Sequence, residues 1–95
     1  MFVRMARFRL KPEQAAEAVE AYLRDGLPRV RAVAGNRDCY LLEPVSAGAT
    51  YVACTLWEDE SAAQRYESSG LAAEVAGTLR SAFAEPPVLE TYRTR

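Results

Sequence analysis

Phe2-Val3-Arg4-Met5-Ala6-Arg7-Phe8-Arg9-Leu10 runs straight into Lys11-Pro12-Glu13. The nine leading residues favour extended backbone and carry apolar groups at both parities: Phe2, Ala6, Phe8 and Leu10 on one, Val3 and Met5 on the other. Pro12 has no amide hydrogen to lose in a first helical turn, and the acid after it complements the helix dipole. A strand therefore hands over to a helix. Ala15, Val19, Tyr22, Leu23, Leu27, Val30 and Val33 then recur at three- and four-residue spacing and form one apolar stripe. Glu20 and Arg24 sit four apart on its wet side. Gly26 and Pro28 predict a kink or a restart, and Gly35-Asn36 ends the helix.

Outward from this junction, Arg37–Glu43 and Thr50–Glu58 read as strands joined by a hairpin loop over Pro44–Ala49. A loop centred near 46–47 sets Cys39 opposite Cys54 and Leu41 opposite Val52. Tyr40 and Leu42 then share the other face with Tyr51, Ala53 and Thr55. Asp59-Glu60-Ser61 opens a short helix bearing Ala62, Ala63 and Tyr66, with Ser61 and Gln64 at capping-box spacing. Ser68-Ser69-Gly70 breaks it. Leu71, Val75, Leu79, Ala82 and Phe83 make a second stripe that Pro86-Pro87 stops, and Val88–Thr94 is the last strand. The fold class is α+β: a ferredoxin-like β-α-β-β-α-β antiparallel sheet with its helices on one face, in a single domain over residues 1–95. A sheet wet on one side alternates apolar with polar residues. Here the first three strands are apolar on both parities, so the free face expects a cover, and a second copy of the chain is the simplest one.

Composition narrows the chemistry. The chain has 95 residues, two cysteines, no histidine and a net charge of −1. No Ser-His-Asp or Cys-His system and no His-ligated metal is available, and two thiols are too few for a four-thiolate centre. Near-zero charge without a basic run argues against nucleic acid as a partner. Arg4, Arg7 and Arg9 interrupt any signal-like apolar stretch, and the longest apolar run, near Tyr51–Trp57, is too short and too broken to span a membrane. A cytoplasmic protein with reduced thiols is the expectation. Eleven arginines to a single lysine, with seventeen alanines, point to a GC-rich bacterial genome.

Three segments carry a resemblance: residues 1–13, Pro28-Arg29-Val30-Arg31-Ala32-Val33-Ala34-Gly35, and Thr55-Leu56-Trp57-Glu58-Asp59-Glu60-Ser61-Ala62-Ala63. Together they resemble the antibiotic biosynthesis monooxygenase (ABM) domain over essentially the whole chain. The most specific piece is the strand-ending Trp-Glu-x-Glu before an alanine-rich helix. The resemblance implies a dimeric α+β barrel with ligand pockets between helices and sheet. It also implies one of several activities: cofactor-independent oxygenation of polyketide-like aromatics, haem degradation, or handling of quinols and aldehydes. Residue by residue, the oxygenases' Trp corresponds to Trp57. Ala6 stands where haem-degrading members have an Asn, and Ala76 near their haem-ligating His, which excludes that branch. Ala53 and Ala63 stand where aromatic-polyketide oxygenases have an Asn and a Tyr, and Ser69-Gly70 stands where many other members have a His.

The expected activity is a monooxygenase of the ABM type that needs no metal, haem or other cofactor and acts on a small planar aromatic or quinone-like molecule. The alternatives are a non-catalytic dimeric binding module for such a small hydrophobic ligand, and an isomerase or cyclase of the same fold. Tyr66 and Tyr51 are the candidate catalytic residues, because a phenol with a partner serves as acid or oxyanion donor. Trp57, Arg7 and Phe8 are the candidate substrate-binding residues. Trp57 is either a stacking wall or a corner aromatic. Arg7 either pairs with Glu58 or Glu90, or grips an anionic substrate. Cys39 and Cys54 read as small buried hydrophobes rather than a redox pair. Glu58-Asp59-Glu60 reads as an acidic first helical turn rather than a metal site.

Overall fold

The extended stretch, the Pro12 junction and the two apolar stripes all take the conformations their patterns predict. A computed structural model describes residues 1–95. The elements are β1 (Phe2–Phe8), α1 (Pro12–Ala21), a π-helical turn (Tyr22–Gly26), α2 (Leu27–Arg31), β2 (Asn36–Leu42), β3 (Tyr51–Trp57), α3 (Glu60–Ser68), α4 (Leu71–Arg80) and β4 (Val88–Arg93). The strands form one antiparallel sheet in the order β2-β3-β1-β4, which is the ferredoxin-like arrangement.

The sheet has two unlike faces. Phe2, Arg4, Ala6 and Phe8 of β1 lie opposite Trp57, Thr55, Ala53 and Tyr51 of β3. This row faces the helices, where Phe8, Cys39 and Trp57 join Tyr22, Val30, Tyr66 and Val75 in one buried cluster. The other face carries Val3, Met5, Val52 and Leu56, half-buried, with Tyr40, Leu42, Val88 and Tyr92 each about half exposed. No helix of this chain covers it.

Two local expectations are corrected and one is made specific. First, Cys39 pairs with Thr55 and Tyr40 with Cys54, one residue away from the predicted register. Burial of Trp57 fixes the parity of β3, so Tyr51, Ala53 and Thr55 face the helices together with Cys39 and Leu41, while Cys54 points to the other face. A bulge between Asn36 and Asp38 absorbs the shift, and the Asn36 amide donates to the carbonyls of Asp38 and Leu56 across it. Second, the interruption expected at Gly26 and Pro28 takes the form of a π turn, after which α2 restarts at Leu27. Pro28 offers no N–H and would crowd the carbonyl four residues back, so the helix widens by one residue, and the Leu27 N–H donates to the Tyr22 carbonyl. Third, the cap of α3 is Asp59 and not Ser61. Its Oδ1 accepts from the Ala62 N–H at 2.9 Å, while Ser61 Oγ accepts from Arg65 Nη1 at 2.7 Å.

Gly35 ties α2 to the β3–α3 corner. Its carbonyl accepts the Glu58 N–H at 2.9 Å, and its φ of 86° lies in the left-handed region. A Cβ there would stand 2.6 Å from Ala62 Cβ. Gly35→Ala is therefore expected to lower stability by about 1–3 kcal/mol, from backbone strain and overlap together. Urea denaturation checks this: the midpoint falls at unchanged slope, and an unchanged midpoint would refute the close approach.

Candidate functional site

The alanines that look unremarkable in the sequence decide where the core stays open. Ala6 and Ala53 on the sheet face Ala72, Ala73 and Ala76 of α4, and none of these side chains is long enough to fill the gap. The result is a cavity of about 380 Å³ between sheet and helices, lined by 16 residues of which 12 are apolar. That volume lies in the ordinary range for small-molecule sites of about 300–1,000 Å³. Ala73, Pro87, Leu89 and Glu67 are exposed lining residues, so the mouth lies between the helices and edge strand β4.

Few polar groups reach this wall, and most are already engaged. Thr55 Oγ1 accepts from Trp57 Nε1 at 3.0 Å and donates to the Arg4 carbonyl at 3.4 Å. The Tyr22 hydroxyl meets Cys39 Sγ at 3.5 Å, and burial holds its pKa far above the ordinary phenol range. Burial also raises the Cys39 thiol, which keeps it protonated and unreactive. Tyr66 differs. It is only 4% exposed, its ring packs on Trp57 with centroids 4.9 Å apart, and its hydroxyl has no protein partner. Burial pushes its pKa up to about 12, while the charge of Arg4 pulls the other way. At neutral pH it is a protonated donor facing the cavity.

The predicted site residues are not all brought together. Tyr66 and Phe8 line the cavity. Trp57 is fully buried behind the wall, packed at a tilt of 31° against Tyr66, with its N–H spent on Thr55. Tyr51 lies parallel to Phe8, at 5.7 Å between ring centroids, and borders a separate groove with Val19 and Leu23. Arg7 is on the opposite face, where it pairs with Glu90 and holds that carboxyl below the usual range. Arg4, Glu67 and Tyr22 are lining residues that the sequence did not single out for this role. The signal for Arg4 was its parity with Phe2, Ala6 and Phe8. Nowhere do three His, Cys, Asp or Glu side chains gather as a metal would require. No helix is long and apolar enough to cross a membrane.

The structure thus defines a ferredoxin-like α+β domain with an apolar pocket under its helices. The sequence profile of the antibiotic biosynthesis monooxygenase family matches residues 1–78, and the chain belongs to that family. Solved structures agree on the fold. SnoaB, a cofactor-independent oxygenase from Streptomyces nogalater seen there as a mutant, superposes with a TM-score of 0.79 at 21% identity, over 99% of this chain and 92% of its own. A conserved protein from Methanosarcina mazei gives 0.84 at 16% identity, over 100% and 94%. Rv0793 from Mycobacterium tuberculosis gives 0.80 at 20% identity, over 99% and 94%. No curated protein matches the sequence.

Tyr66→Phe separates a structural from a functional phenol. Because the hydroxyl bonds to nothing in the protein, its removal is expected to change stability at neutral pH by less than about 0.5 kcal/mol. At alkaline pH the variants diverge. An unfolded tyrosine loses its proton near 10.0 and the folded one near 12, so the folded state binds more protons in between and stability falls as pH rises through that window. Tyr66→Phe removes this contribution, and denaturation curves between pH 10 and pH 12 should be flatter for the variant than for the wild type.

Proposed function

We propose that this protein is an oxygenase of the ABM type that binds a small planar aromatic or quinone-like molecule in the alanine-lined cavity. The observation that carries the reading is the Tyr66 hydroxyl: a protonated donor, unpartnered in the protein, on the wall of an otherwise apolar pocket. In an anthrone-type reaction the substrate loses two hydrogens at one carbon, one oxygen atom of O₂ becomes its new carbonyl, and the other leaves as water. The electrons come from the substrate, so no metal, haem or flavin enters the balance. Proton loss from carbon shifts charge onto the existing ring oxygen, where a hydrogen bond from Tyr66 strengthens as the charge grows. The apolar wall excludes water and holds the ring system in place.

The working unit in this proposal is a homodimer of single-domain chains, joined through the outer sheet face that carries Tyr40, Leu42, Val88 and Tyr92. Two free cysteines support a reducing, cytoplasmic setting.

Oxygen uptake with anthrone- and quinol-type substrates, without added metal or flavin, tests the activity. Tyr66→Phe should lower kcat by about 10²–10⁴-fold, the usual worth of a proton-handling group, whereas Tyr51→Phe should retain most activity because it stands outside the cavity. Full activity in Tyr66→Phe would remove the assignment, and ligand binding without oxygen uptake would leave a binding module. Sedimentation tests the dimer: Leu42→Glu should yield a folded monomer, and a wild-type monomer at micromolar concentration would refute the interface.

A further inference from the structure

Arg4 is the one cation on the cavity wall, and its surroundings are unlike those of the other arginines. It comes from the middle of β1, on the helix-facing row, with a side chain only 17% exposed. Its Nε donates to Glu67 Oε1 at 2.5 Å, which leaves the two terminal Nη groups without a protein acceptor. A guanidinium has five N–H donors, so up to four remain for a ligand. The partner carboxylate sits at the rim with 46% exposure, where solvent screens its charge more than that of Arg4. Thr55 and Tyr22 on the wall are already engaged, and α4 and β4 contribute no charged side chain to it. Tyr66 adds a second unpartnered donor, close enough for the charge of Arg4 to act on its phenol. The inner wall thus offers the Arg4 and Tyr66 donors, and the acceptor left over is the second carboxylate oxygen of Glu67 at the rim.

We propose that Arg4, oriented by Glu67, is the oxyanion anchor of this cavity and selects aromatic ligands that bind through an ionised oxygen. Glu67 is a positioning residue: its bond to Nε fixes the guanidinium plane and turns the Nη edge toward the cavity. This rests on the cavity being the ligand site, and it adds the protonation state in which the ligand is held. A neutral quinone fits the apolar walls but leaves the Arg4 edge unmatched. A phenolate or enolate fills both.

The probe is 2-hydroxyanthraquinone, whose visible absorption changes on ionisation, with anthraquinone as its counterpart lacking the hydroxyl. Bound to the wild-type protein, the dye should ionise about 1–3 pH units below its free value, the shift expected beside one cation within a few ångströms. Arg4→Gln should abolish the shift, while Arg4→Lys, which keeps the charge, should retain most of it. Binding of both dyes without a shift would overturn the anchor and leave the cavity reading standing. A shift that survives Arg4→Gln would overturn it equally. If neither dye binds, the cavity is not the ligand site and both readings fall. The absence of a shift in the wild-type titration is enough to overturn the anchor, so the proposal stays falsifiable even where Arg4→Gln fails to fold.

Discussion

The burial of Trp57 is the constraint on which the rest of the arrangement depends. Its indole is sealed in the core, and its N–H is satisfied by Thr55 two residues earlier on the same strand. A buried N–H without an acceptor would be costly, so Trp57 and Thr55 must point to the same side. That choice fixes the parity of β3, and because sheet neighbours share faces it propagates to every strand. Ala53 and Ala6 then face the helices, where their shortness opens the cavity. Arg4 faces the same way and Arg7 the other. A single side chain that never touches the cavity thereby decides which residues do.

Polar satisfaction explains why the cavity has the character it has. The wall hydroxyls of Thr55 and Tyr22 are committed to internal partners, and the Trp57 N–H is out of reach. Tyr66 and the terminal nitrogens of Arg4 are the groups left over. Neither is sealed in the core, where every buried polar side-chain atom has a partner, so both are reached through the open cavity. The missing histidine sharpens this. With no imidazole in the chain, the proposed reaction near neutral pH relies on a phenol held protonated by burial and on whatever the ligand brings.

Much of the architecture was legible from local pattern. The strand-to-helix junction at Pro12, the two helical stripes and the Pro86-Pro87 stop all follow from backbone sterics and periodicity acting within a few residues. The apolar residues on both parities of the first three strands give the sheet two apolar faces, and on the outer one Tyr40 and Leu42 stand half exposed. The site was less legible. Tyr66, singled out as a phenol, and Phe8, singled out as a binding aromatic, both line the cavity. Arg7 was weighed in place of Arg4, although only Arg4 has the parity of Phe8. Ala6, Ala53 and Ala76 stand out only as places where relatives carry other residues, and Ala72 and Ala73 carry no signal, since a cavity is defined by what its neighbours fail to fill.

The sequence by itself determined the order of elements, the class of fold and the exclusion of histidine chemistry, because these depend on residue type and short-range spacing. The tertiary structure alone decided the register of β2 on β3 and the grouping of Arg4, Tyr66 and Glu67 around one space. Those features depend on contacts between residues far apart in the chain. A one-residue slip, which no local pattern forbids, would have turned each side chain of a strand to the other face.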